Sequence, residues 1–135
     1  MQRVMVVMSV LYCVIVSSSF IHTYNLPKSI ERGKDVYTTF CVNCHMADGK
    51  GMEKVYPPIA KSDFLKRPSK DLINNILNGK SGETKVNGLV YNTLMPAQNY
   101  LTDEQIADVL NYINNSWGNK KSVAFTPEQV KKLRP

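Results

Sequence analysis

The sequence predicts an all-α domain of about four to five helices. Two observations lead there. Apolar residues recur at helical spacing in three segments that carry their own start or stop residues, and no alternating run is long enough for a sheet beyond one short hairpin. A chain of 135 residues, 43% hydrophobic and 21% charged, has room for one modest core, with no internal repeat and no low-complexity tract.

The front end differs from the rest. Arg3 is the only charge before Lys28, and Val4 to Val16 is a nearly unbroken apolar run closed by Ser17, Ser18 and Ser19. A basic start, an apolar stretch and small residues make a secretory signal over 1–19, cleaved after Ser19. The same stretch, Val4 to Ile21, is close to membrane-spanning length, so an uncleaved anchor is the alternative reading. Cys13 lies in this run behind Tyr12, where a lipoprotein site needs a small residue, and has no assigned role. The domain proper is read as 20–118, followed by a basic tail over 119–135.

The helices follow in order. Ser29 reads as the N-cap of a helix to about Phe40, with Ile30, Val36, Tyr37 and Phe40 apolar. Gly33 in its middle is costly unless another helix crosses closely there. Met46 to Lys61 carries Gly49, Gly51, Pro57 and Pro58 and is mostly loop. A second helix is expected over Ser69 to Asn78, capped by Ser69 and stopped by Gly79, with Leu72, Ile73, Ile76 and Leu77 inward. Thr84 to Tyr91 is a short hairpin turning at Asn87-Gly88 in a type I′ turn. Thr102 and Gln105 form a capping box for the clearest helix, with Ile106, Val109, Leu110, Ile113 and Trp117 on one face and Gly118 as its end. A short tail helix opens at Thr126-Pro127.

Cys41-Val42-Asn43-Cys44-His45 carries the chemistry. C-x-x-C-H is the spacing by which haem is attached covalently: two thiols about a helical turn apart form thioethers with the two vinyl groups, and the next histidine is carried under the iron as proximal ligand. A plain disulfide and a redox dithiol are the competing readings. Both leave His45 unexplained, and the dithiol needs an alternating strand–helix pattern that this chain lacks. Structural zinc needs four ligands, and the only other histidine is His22.

With these elements in order, the chain resembles the class I monohaem cytochrome c family from about Ser29 to Gly118. The resemblance rests on the first helix with Gly33 and Phe40, the Cys41–His45 motif, Asp48-Gly49-Lys50-Gly51, Tyr56-Pro57-Pro58, Met95-Pro96 and the last helix with Tyr112 and Trp117. The run from Leu94 to Gly118 looks most like small bacterial cytochromes or fused cytochrome domains that serve periplasmic dehydrogenases, copper nitrite reductases and terminal oxidases. It implies one covalent haem c, a crossing of the first and last helices at Gly33 with Tyr112 beside it, and a carbonyl in Pro57-Pro58 accepting from the outer nitrogen of His45. Which proline supplies it stays open.

The resemblance also points to Met95, 50 residues beyond His45, as the distal ligand, because the family places that ligand in a Met-Pro context before its last helix. Met46 is next to the proximal histidine, and Met52 needs a very tight loop. An ordinary core methionine is the alternative for Met95. A filled sixth position closes the iron to substrates and suits a one-electron carrier. The competing function is a gas-binding or catalytic haem protein with an open sixth site. The sequence offers no spare histidine and no cysteine nucleophile, so an enzyme is not expected.

The chain has 17 basic and 11 acidic residues, net +6; removing 1–19 takes away only Arg3 and leaves +5. Lys50, Lys54, Lys61, Lys66, Arg67, Lys70, Lys80 and Lys85 fall in the half expected around the haem. They read either as a rim that steers acidic redox partners or as scattered solvated charges. Nucleic acid is not an expected partner, and membrane association is expected only if the N-terminal segment is retained. The whole pattern is that of a periplasmic protein.

Overall fold

The computed structural model describes residues 24–121 and 123–135, so the leader reading, Cys13 and His22 lie outside the described residues. The described residues form α1 (Leu26–Phe40), α2 (Val42–His45), α3 (Ser69–Asn78), the hairpin β1 (Thr84–Val86) and β2 (Leu89–Tyr91), α4 (Asp103–Ile113) and α5 (Pro127–Lys131). A single 3-10 turn, Asp63–Lys66, interrupts the long loop before α3. No helix among the described residues is long and apolar enough to cross a membrane.

α1 starts earlier than its serine implies. Asn25 is the N-cap, its side chain accepting from the Lys28 amide at 3.1 Å, and Pro27 occupies the first turn. Ser29 lies inside the helix and is fully buried; its hydroxyl donates to Asp108 at 2.6 Å and is therefore not free to cap. α3 runs over the expected residues, but Pro68 holds the N-cap position and Ser69 is the first helical residue.

α1 crosses α4 at Gly33. A Cβ there would overlap the carbonyl oxygen of Asp108 and come within 2.8 Å of the Tyr112 Cβ, so only glycine allows the two backbones to meet. Ile106, Val109, Leu110 and Ile113 of α4 join Val36 and Tyr37 of α1 and Leu72, Ile73 and Leu77 of α3 in one core. The hairpin pairs Thr84 with Tyr91 and Val86 with Leu89. Asn87 at φ 49° and Gly88 at φ 85° are both left-handed, as the type I′ turn requires.

α4 ends at Ile113, four residues before the expected Trp117. The asparagines stop it: Asn114 Nδ2 donates to the Leu110 carbonyl at 2.8 Å, Asn115 Nδ2 to the Asn111 carbonyl at 2.8 Å, and Asn119 Nδ2 to the Ile113 carbonyl at 2.7 Å. Trp117 is off the helix at φ 52° and packs edge-on to Tyr112 and tilted against Tyr37, with centroids 5.3 and 5.0 Å away.

The tail is docked on the domain. Phe125 and Val130 are buried in the main core. Asn111 clasps Phe125 on both sides, its Nδ2 donating to the Phe125 carbonyl at 2.9 Å and its Oδ1 accepting from the Phe125 amide at 2.7 Å. Arg134 pairs with Asp103 at 2.5 Å and donates to the carbonyls of Asn99 and Leu101.

Candidate functional site

α1 and α2 are nearly continuous, and the motif sits on the joint. The Cys41 amide still donates to the Tyr37 carbonyl at 2.9 Å, while the Cys41 carbonyl accepts from the His45 amide at 3.0 Å. This single turn sets the two cysteines and His45 on the wall of one cavity. Met46 ends the turn at φ 63°, and the buried Tyr37 hydroxyl donates to its carbonyl at 2.7 Å.

The loop after the motif folds back to meet it. The Gly51 amide donates to the His45 carbonyl at 3.0 Å, and the Gly49 carbonyl receives the amides of Ile59 and Ala60 at 2.7 and 2.8 Å. A Cβ on Gly51 would fall 2.7 Å from the Pro57 carbonyl oxygen, so glycine is what lets that peptide come close. The Pro57 carbonyl consequently lies 3.0 Å from His45 Nδ1. Pro57, not Pro58, makes the contact. With Nδ1 donating there, the tautomer is fixed and Nε2 is left as the basic nitrogen.

The electrostatics agree with a ligand. Burial pulls the His45 pKa down and so favours the neutral imidazole a metal requires, while the hydrogen bond to Pro57 opposes that shift. Burial pushes the Cys41 thiol up to about 11, with nearby Cys44 adding to the rise. A redox-active dithiol needs a thiol moved the other way. Neither cysteine is in a disulfide.

Met95 lines the same cavity from the loop after the hairpin. It is paired with Lys80 in a two-residue bridge, Lys80 amide to Met95 carbonyl at 2.8 Å and Met95 amide to Lys80 carbonyl at 2.9 Å. Met46 and Met52 do not line the cavity. Asn75 Nδ2 donates to the Met95 sulfur at 3.3 Å.

The cavity holds about 160 Å³ of water-sized space, and Leu72, Ile76, Leu101, Val109, Leu110 and Ile113 give it a mainly apolar wall. Thr84 also lines it, and the Thr84 hydroxyl is buried with no hydrogen-bond partner among the described residues. An orphaned hydroxyl in an apolar wall is costly unless a polar edge of a bound group meets it. Two thiols, an imidazole, a thioether, an apolar wall and one waiting donor fit a haem with its carboxylate edge. Of the eight basic residues named above, Lys80 alone lines this cavity. Leu94, beside Met95, lines it while 65% exposed.

Asn75, Tyr37 and Thr84 were not legible as site residues. Asn75 sits at the polar edge of the Leu72, Ile73, Ile76 and Leu77 stripe beside Asp71 and Asn78, so nothing in the pattern marked it.

Comparison with known proteins agrees with this geometry. The cytochrome c family matches residues 30–117. Cytochrome c-552 of Thermus thermophilus is 38% identical over 110 residues, covering 76% of this chain and 83% of the relative. The cytochrome c subunit of the quinone alcohol dehydrogenase from Gluconobacter oxydans is 29% identical over 103 residues, and that of gluconate 2-dehydrogenase from Pantoea cypripedii is 34% identical over 107. The matches cover 22% and 24% of those two longer proteins. The chain belongs to the cytochrome c family, electron-transfer proteins that carry covalently attached haem c.

Proposed function

We propose that this protein is an exported one-electron carrier whose haem is bound by thioethers at Cys41 and Cys44 and ligated by His45 and Met95. The observation that carries this reading is that His45 and Met95 line one apolar cavity, His45 held by its side chain and Met95 by its backbone. His45 Nδ1 is held 3.0 Å from the Pro57 carbonyl, and the Met95 backbone is paired with Lys80. Bound haem supplies the one-electron couple. Cys41, Cys44, His45 and Met95 would hold that group from fixed positions, which suits one-electron transfer with little reorganisation.

Residues 1–19 serve as the export signal, and 20–118 with the docked tail 119–135 form the mature periplasmic protein; retention of the segment as an anchor is the alternative. The donor is a dehydrogenase or quinol-side protein and the acceptor a reductase or oxidase. The similarity to dehydrogenase cytochrome subunits supports the donor side. Docking uses a mixed surface, apolar Leu94 at the cavity mouth with Lys80 near it and the exposed lysines outside, fitted to a partner with acidic groups.

Protein matured in a haem-attaching host tests this directly. Ferric protein should show the far-red sulfur-to-iron charge-transfer band, and ferrous protein should resist carbon monoxide. Met95→Ala should abolish the band, admit carbon monoxide and lower the potential, and His45→Ala should prevent stable holoprotein. An unchanged spectrum in Met95→Ala would falsify the distal assignment, and ready carbon monoxide binding by the parent protein would favour the open-site alternative.

A further inference from the structure

We propose that Asn119 is a positioning residue for the proximal ligand, holding the loop that carries the Pro57 carbonyl against His45. This deepens the reading of His45 as proximal ligand and rests on it.

An asparagine amide has two N–H donors and a carbonyl acceptor. Asn119 uses all of them. Its Nδ2 donates to the Ile59 carbonyl at 3.0 Å and to the Ile113 carbonyl at 2.7 Å, and its Oδ1 accepts from the Lys61 amide at 2.9 Å. Two carbonyls on one side and an N–H on the other fix which way the amide faces. One side chain therefore ties the end of α4 to residues 59–61.

The backbone builds the place for this side chain. Trp117 at φ 52° and Gly118 at φ 85° are consecutive left-handed residues, and the Asn119 amide closes the turn on the Ser116 carbonyl at 2.9 Å. Asn119 lies two residues beyond the last residue that the family matches, so the connector to the tail supplies the support.

The loop needs holding. Lys61 stands at φ 51°, a left-handed backbone that a lysine keeps only when its surroundings impose it. Its amide is the one that Asn119 takes. From the other side, the Gly49 carbonyl receives the amides of Ile59 and Ala60 at 2.7 and 2.8 Å. Residues 59–61 are thus pinned between the turn after the motif and the end of α4. Pro57 stands two residues before them, with its carbonyl 3.0 Å from His45 Nδ1. Gly49 anchors the loop to the motif; Asn119 stops it from lifting away.

The bond from Nδ1 to Pro57 makes the imidazole a stronger donor to a metal. Ferric iron depends more on that donation than ferrous iron, so slackening the bond favours the reduced state. Releasing the loop should raise the reduced-to-oxidised ratio at fixed potential by about threefold, where tenfold is about 59 mV for one electron. Water entering a loosened loop acts with the opposite sign, because it favours the extra charge of the ferric haem. A rise in potential therefore reports the slackened bond and not wetting of the site.

The test compares Asn119→Leu and Asn115→Ala holoprotein with the parent. It reads the potential, the far-red band and, by NMR of the ferrous form, exchange of the His45 ring N–H. Asn115 Nδ2 also serves the end of α4, through the Asn111 carbonyl, and is the control. In Asn119→Leu the potential should rise and the ring proton should exchange about tenfold faster or more. The far-red band should stay, and the amides of Ile106, Val109 and Leu110 should keep the parent's exchange rates. Asn115→Ala should match the parent throughout. In unmutated ferrous protein the Asn119 side-chain amide protons should exchange slowly and lie close to Ile59 and Ile113.

A Leu variant with parental ring-proton exchange overturns the inference, as does an unchanged or lower potential. Core amides that quicken in step, or an Asn115→Ala protein that shifts equally, overturn it by making the effect one of helix stability. Fast-exchanging Asn119 protons remote from Ile59 overturn it without any variant. If the parent's His45 ring protons lack the large upfield shift of an imidazole on haem iron, the ligand reading fails and takes this inference with it. A parent with that shift beside an indistinguishable Leu variant removes the Asn119 role alone.

Discussion

Gly33 and Asp108 bring α1 and α4 into backbone contact, since the space a Cβ would need at position 33 is taken by the Asp108 carbonyl oxygen. The crossing fixes where α1 ends, and so where Cys41 to His45 stand relative to α4. Gly33→Ala gains about 1 kcal/mol in helix propensity. The backbone overlap outweighs it, and a net loss of about 2 kcal/mol is expected from overpacking that a rigid helix cannot relieve. Denaturant unfolding of the holoprotein checks this; a stabilised Gly33→Ala would mean that the helices cross elsewhere.

Arg32 reaches two carboxylates of very different surroundings. Its Nε donates to Asp108 Oδ2 at 2.6 Å and its Nη2 to Oδ1 at 2.8 Å, whereas it meets Glu104 at 3.1 Å with both partners well exposed. The Asp108 side chain is 2% exposed. Among the described residues, Arg32→Ala leaves that buried carboxylate with Tyr24 and Ser29 as its side-chain donors. A loss of about 3 kcal/mol is expected for breaking a buried pair, against less than about 1 kcal/mol for Glu104→Ala. Equal costs in paired unfolding curves would show that Asp108 does not depend on the guanidinium.

The two ends of this network mark how far the sequence could be read. Gly33, the Thr102–Gln105 capping box, the Asn87-Gly88 turn and the Cys41–His45 motif are local signals, each carried by a few neighbouring residues, and the structure repeats them. Ser29 reads as a cap because capping is the local use of a serine; its partners are Asp108 and Asn111, at 2.6 and 2.9 Å and far along the chain. The end of α4 was misjudged because Trp117 keeps helical spacing, while three asparagine amides compete for its last carbonyls. Pro57 was expected as one of two prolines through the resemblance, whereas Asn75 gains meaning only when the Met95 loop returns to α3.

Tyr24 joins the same network, donating to Asp108 at 2.5 Å. Burial first, and then that hydrogen bond, push its phenol up to about 12. The unfolded chain ionises it near its ordinary value of about 10. Between those values the unfolded state holds fewer protons, so stability present below pH 10 or so is lost as pH rises towards 12. Partial exposure keeps this share smaller than that of a fully buried phenol. Tyr24→Phe should lower stability at neutral pH by about 1 kcal/mol through the lost hydrogen bond and flatten the decline in that window. Lysine deprotonation affects both proteins alike, so the difference between their pH profiles isolates Tyr24; identical slopes would exclude it.

Gly79 separates the support of the Met95 loop from Met95 itself, the proposed distal ligand. It stands at φ 70°, and an added Cβ would overlap the Met95 carbonyl oxygen and lie 2.7 Å from the Ala97 nitrogen. Gly79→Ala thus meets two costs, a left-handed backbone worth about 1–2 kcal/mol and a clash with a loop whose carbonyl is held by the Lys80 amide at 2.8 Å. Because α3 is anchored by Leu72, Ile73 and Leu77, the loop is the side that gives way. Displacing it draws the sulfur outward without removing it. Ferric Gly79→Ala should keep a weakened far-red band and bind imidazole at least several-fold more tightly than the parent, midway towards Met95→Ala. The motif side of the site should not change, so haem content should stay full. Loss of haem would place the damage at Cys41 to His45, and parent-like imidazole binding would show that the loop absorbs the extra methyl without moving Met95.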